Sequence, residues 1–248
     1  ATAFFPAGRK AVDWATIKPA IEGEGVSLRR AAPPLNFAQR RASPHEKGKT
    51  SSVFIPGGAG LQGSLLGRQF LFIGQKAKDG PYPVLECLFR KENFMHLTGC
   101  QIADGLSAKN FFDLCIRKRL GFEMFTYQPD AFLKKDVFSS VFALPYTARM
   151  MGDSGGGGNR LFTEKVAGNV CGCMGFAHDS QLHTYAPNTV LKQDVRNMVV
   201  KPVKILVVYE KGIGTELYPL KPVNTAKELR GKELHWSPEI ACKISSPN

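Results

Sequence analysis

The stretch RMMGDSGGGGNRLF, Arg149 to Phe162, decides which fold the rest of the chain is read into. Gly152-Asp153-Ser154-Gly155-Gly156 has the spacing found around an activated serine, which would require an all-β hydrolase around it. Taken as a connection, the same residues join a helix upstream to strands downstream, because consecutive glycines impose no preferred path. The two readings make different demands on the rest of the chain.

A serine nucleophile needs a histidine base, an orienting carboxylate and an oxyanion hole. In chymotrypsin-like proteases the histidine lies far upstream in an Ala-Ala-His-Cys setting, whereas His96 here sits in FMHLTG. The glycines also fail as a phosphate loop, since no Gly-Lys-Ser/Thr follows them. The stretch therefore reads as a turn between helix and sheet.

Upstream of it, DVFSSVFALPYTARMMG from Asp136 reads as a helix, kinked at Pro145 and ended by Gly152. An earlier helix starts in LSAKNFFDLCIRKRLG, with Ser107 as N-cap and Phe111, Leu114, Cys115 and Lys118 at helical spacing. Its last turn carries Arg117, Lys118 and Arg119, and Gly121 suits the C-cap. Before that, QFLFIGQK and YPVLECLF are strand-length apolar runs around the turn Lys78-Asp-Gly-Pro81. Downstream, VAGNVCGCMGFAH, PVKILVVYEK and the shorter TELYPLKPV read as strands. Segregation of helices from strands predicts an α+β fold: two helices with a mainly antiparallel sheet of about four or more strands. Residues 1–62 are breaker-rich and basic and read as an N-terminal arm, with one short helical piece in VDWATIKPAIE; residues 63–248 form the main domain.

The chain has 248 residues, 43% of them hydrophobic, enough for one substantial core. It contains no apolar run of about 18 residues, so no membrane span is expected, and ATAFFPAGRKAVDW does not read as a signal peptide. A formal charge of +12 favours an anionic partner, nucleic acid or an acidic surface. The six cysteines read as reduced, mostly buried thiols of a cytoplasmic protein. Cys171 and Cys173 alternate on a strand and share a face, so no zinc site is expected.

Two stretches carry candidate chemistry. In NFMHLTG, Asn93 to Gly99, a turn would expose the His96 imidazole and the Thr98 hydroxyl together, and histidine titrates near neutrality. In YAPNTVLKQDVR, Tyr185 to Arg196, Pro187-Asn188-Thr189 reads as a turn with an N-cap. Helical spacing puts Lys192 and Arg196 on one face; extended spacing puts Lys192, Asp194 and Arg196 on one face. Either geometry sets two cations side by side, suited to a phosphate. His178 and His183 flank the turn HDSQLH, and their spacing does not make a helical metal pair.

In order along the chain, FMHLTG, LSAKNFF, MMGD, AGNVCGCMGF, YAPNTVLKQDVR and VKILVVYEK resemble the phage-associated Barnase–EndoU–colicin–RelE-like nuclease domains, group four, over roughly residues 65 to 245. The resemblance implies two helices preceding an antiparallel sheet and a metal-independent RNase without cofactor, deployed as a toxin or in conflict between mobile elements. Carried over on the matching motifs, His96, Thr98, Lys192 and Asp194 are catalytic candidates, and Asn188 and Thr189 bind substrate. Physical grounds add Arg196 as a catalytic cation, Lys211 as a substrate contact and Tyr185 as a base-stacking ring. The expected substrate is RNA, tRNA or rRNA, in a bacterial or phage-infected cytoplasm, with the protein delivered there as an effector in one scenario. Charge favours an acidic immunity protein or inhibitor as partner. Two other readings share the same cleft: a non-catalytic RNA- or protein-binding module, and an enzyme acting on nucleotide phosphates.

Overall fold

The computed structural model describes residues 63, 65–129, 131–155 and 162–245, without the side chains of Phe132, Lys135 and Ser139. The expected arm and its helical piece lie outside the described residues. The first hairpin forms where the apolar runs predicted it. β1 (Arg68–Gly74) pairs antiparallel with β2 (Val84–Leu88), Phe70 opposite Cys87 and Ile73 opposite Val84. β1 is apolar on both faces because both are covered, and Phe70, Leu71, Phe72 and Ile73 are all fully buried.

The helical segment is more broken than two helices. It comprises α1 (Asn93–Thr98), α2 (Ala108–Ile116), α3 (Ala131–Lys135), α4 (Phe138–Phe142) and α5 (Leu144–Thr147), with a small hairpin of β3 (Cys100–Ile102) and β4 (Phe125–Tyr127) between them. Ser107 caps α2 as expected, its hydroxyl accepting from the Asn110 amide at 3.2 Å. That helix stops at Ile116, short of Gly121, because Lys118 takes a left-handed conformation (φ 55°). The long helix expected from Asp136 breaks before Pro145, which enters the first turn of α5 where its missing N–H is harmless.

MMGD, expected at the end of that helix, is a strand instead: β5 (Met150–Asp153). β6 (Lys165–Gly168), β7 (Cys173–Asp179) and β8 (Thr184–Leu191) follow as an antiparallel run, then β9 (Val203–Gly212) and the short β10 (Asn224–Thr225). TELYPLKPV does not add an edge strand; it contributes an isolated bridge, Tyr218 to Ile244. The last helix among the described residues is α6 (Pro238–Ala241).

The sheet has eight strands in the order β1-β2-β8-β7-β6-β5-β9-β10, and β1 also pairs with β9. Seven of those strands therefore close a ring, sealed by one parallel pair, Cys87 to Tyr185. Closure leaves few exposed strand edges. The helices fill the inner face: Phe94, Leu97, Phe111, Phe112, Phe138 and Phe142 share one cluster with Phe70, Phe72, Phe89, Met174, Phe176 and Val208. Each fully buried side chain of this kind stabilises by about 1.5–3 kcal/mol. On the outer face the C-terminal residues cover β1 and β9, while Val195 and Val199 cover β6 and β7.

The starting stretch is thus part strand, part outside the described residues. Asp153 forms an ion pair with Lys165, and the Ser154 amide donates to the Glu164 carbonyl at 2.8 Å, so both serve the sheet. Among the described residues the six cysteines form no disulfide, and Cys87, Cys100, Cys115 and Cys173 are buried. Burial, aided by the nearby Asp194 carboxylate, pushes the Cys173 thiol up to about 12. Cys171 does not share its face; it is exposed in the β6–β7 turn.

Candidate active site

His96 stands on α1, not in a turn. Phe94 and Leu97 recur at helical spacing and bury, which turns His96 outward. The helix ends at Gly99, which takes φ 70°, a conformation other residues adopt at a cost. Helical geometry also separates His96 from Thr98, two residues on. Thr98 is buried, its hydroxyl donating to the Met95 carbonyl at 2.7 Å and accepting from the Cys100 amide at 3.2 Å. It ties off the helix end.

The His96 ring forms no hydrogen bond among the described residues, and the residue is exposed. Partial desolvation, then the Lys134 ammonium, lowers its pKa below the ordinary 6.5, so the ring is neutral at physiological pH. Lys134 comes from α3, itself mostly buried, and its Nζ donates to the His96 carbonyl at 3.4 Å. Two residues further along, Asp136 accepts from Lys192 Nζ at 2.9 Å. His96, Lys134 and Lys192 are therefore joined through one short segment, with α1 packed on β8.

β8 holds the remaining candidates of the second stretch. Pro187-Asn188-Thr189 is strand, not turn and N-cap, with a register shift opposite Gly175 and Phe176. Thr189 is buried. Asn188 bridges to the segment before β6: its Oδ1 accepts from Thr163 at 3.1 Å and its Nδ2 donates to the Phe162 carbonyl at 3.0 Å. Tyr185, half-buried, packs its ring edgewise on His178 at 5.4 Å, directly across the β7–β8 pair.

Neither geometry expected for Lys192 and Arg196 is realised, because β8 ends at Leu191 and a 3-10 turn begins at Val195. Asp194 caps that turn and takes the Arg196 guanidinium for itself, Nε to Oδ2 at 3.0 Å. The two residues hold a turn over the outer cluster, while Lys192 reaches the helical side. Lys211 also lies on the outer side, its ammonium 4.5 Å from the Tyr218 ring centre and donating to the Glu216 carbonyl.

The inner face carries a polar group that the sequence reading passed over. Glu210 on β9, its side chain 5% exposed, pairs with Arg68 and accepts from the Tyr146 hydroxyl at 2.8 Å. Its signal was available: a carboxylate in the otherwise apolar run ILVVYE, at the parity of inward-facing Val208. His178, expected to flank the turn HDSQLH, lies within β7 on the same face as Met174 and Phe176. Among the described residues, no group of three or more His, Cys, Asp or Glu could hold a metal ion, and no helix is long and apolar enough to cross a membrane.

Helices thus fill the inner face of a curved sheet, and the exposed His96 imidazole stands beside the Lys134 ammonium. Residues 61–223 match the model of one family, the phage-Barnase-EndoU-ColicinE5/D-RelE like nuclease 4. The chain belongs to that family. No curated protein and no solved structure matches it.

Proposed function

We propose that this protein is a metal-independent endoribonuclease whose reaction takes place at the His96 edge of α1. The observation that carries the reading is the exposed imidazole, kept neutral beside Lys134 in a chain of the nuclease family. A neutral ring can accept a proton from a ribose 2′-hydroxyl. The resulting oxygen attacks phosphorus, the bond to the 5′-oxygen breaks, and that oxygen takes up a proton. Lys134 and Lys192 offset the charge that builds on the phosphorane oxygens. Tyr185 supports a base by stacking, and His178 beside it is our choice for the proton donor to the leaving oxygen. An acidic inhibitor suits the +12 chain if the protein acts as a toxin.

The test is cleavage of RNA in excess EDTA, with the ends mapped. The expected products carry 2′,3′-cyclic phosphates, and a single 2′-deoxy substitution at the cut site blocks cleavage there. Salt-sensitive RNA binding with intact strands would instead identify a binding module.

A further inference from the structure

The family match stops at Val223, yet the residues beyond it build a layer of their own. Ile240 and Ile244 bury with Tyr218 against Leu71, Ile73, Val207 and Tyr209, on the outer face of β1 and β9. Within this layer lies a cavity of about 590 Å³, inside the size range of small-ligand sites. Its lining carries Lys221, Arg230 and Lys232 against one carboxylate, Glu233. Among the described residues none of the three cations is in an ion pair, whereas Glu233 stands 3.9 Å from His235 Nε2.

The backbone that carries two of the cations, Arg230 and Lys232, has a defined local geometry. Leu229 to Lys232 is a type II turn: the Lys232 amide donates to the Leu229 carbonyl at 3.2 Å, Arg230 has φ −63° and ψ 129°, and Gly231 has φ 73°. Gly231 lets the turn close, which sets Arg230 and Lys232 on either side of it. Trp236 supplies an aromatic wall. Its indole N–H donates to the Tyr209 hydroxyl at 3.0 Å and its ring meets Tyr82 edgewise at 5.4 Å, so it is fixed in place before any ligand arrives.

We infer that this C-terminal cleft binds a nucleoside phosphate, the phosphate on Arg230, Lys232 and Lys221 and the base against Trp236. Cations alone would serve any anion; a fixed indole beside them selects an anion that carries a flat ring. The chemistry is shared by a free nucleotide and by one unit of an RNA strand. In the second case the cleft, on the outer face, grips substrate away from His96 on the helical side, and this arm alone rests on the nuclease reading.

The chain has two tryptophans, so Trp14→Phe leaves Trp236 as the reporter. In that protein, AMP and a 2′-deoxy pentanucleotide, which cannot be cut through a 2′-hydroxyl, are expected to quench indole fluorescence saturably. Arg230→Ala with Lys232→Ala, both exposed positions, should weaken binding at least tenfold while the melting temperature holds. A pentanucleotide at least tenfold tighter than AMP assigns the cleft to an RNA strand; equal affinity assigns it to free nucleotide. The inference is overturned by absence of quenching, by quenching that survives the double substitution, or by inorganic phosphate competing as well as AMP. Because nothing is cleaved in this assay, it stands or falls apart from the activity of His96.

Discussion

His96 and Glu210 are both ionisable residues on elements that pack into the aromatic core, and they differ in what surrounds their reactive atoms. The His96 ring is exposed and without a hydrogen bond among the described residues, with an ammonium beside it. Glu210 is nearly closed off from water, and each oxygen already has a partner: Arg68 on Oε1 and Tyr146 on Oε2. A group whose hydrogen-bonding capacity is taken up within the fold contributes mainly to stability. One that is left open can meet a substrate.

The most severe test of that contrast uses the same helix. Phe94→Ala removes a fully buried ring two residues from His96 and should cost about 3–5 kcal/mol, measured by urea unfolding. His96→Ala, on the outward side, should leave the unfolding midpoint in place and slow RNA cleavage by roughly a hundredfold, the usual scale for a lost acid or base. Full activity in that variant removes His96 from the reaction. Glu210→Ala should cost about 2 kcal/mol, less than a fully buried pair because the Arg68 side chain is 38% exposed, with cleavage per folded molecule retained. A hundredfold loss of cleavage in Glu210→Ala at unchanged stability would reverse the comparison and move the chemistry to β9.

The smallest effect is in pH. Because the folded state holds His96 below its ordinary 6.5, the unfolded chain takes up the proton first as the solution is acidified. The stability tied to the neutral ring is present above pH 6.5, falls as pH drops through that value, and levels off below the lowered folded pKa. His96→Gln should flatten this slope in melting curves between pH 7 and 5, and the wild-type cleavage rate should hold to lower pH than an ordinary imidazole allows.

Much of the α+β pattern was legible along the chain. The β1–β2 hairpin, the Ser107 cap and β9 follow from local signals: a turn between apolar runs, a hydroxyl before helical spacing, a continuous apolar strand. What failed was reading beyond a few residues. MMGD looked like a helix end because it follows helical residues, and only its pairing with β6 and β9 makes it strand. PNT looked like a turn because proline and asparagine favour one, yet the β7 ladder holds it extended with a register shift.

The candidate site divides in the same way. The nuclease family and the singling out of His96 came from short motifs whose residues are close in sequence, so the sequence alone determined them. The companions of His96 were settled by folding. Lys134 arrives from α3, Lys192 is drawn to Asp136, and Arg196 is claimed by Asp194 on the other side of the sheet. The ring of seven strands, the engaged Glu210 and the C-terminal cleft likewise depend on residues far apart in the chain. Local preference is written within a few residues, whereas which charges meet depends on how distant segments bury their apolar faces together.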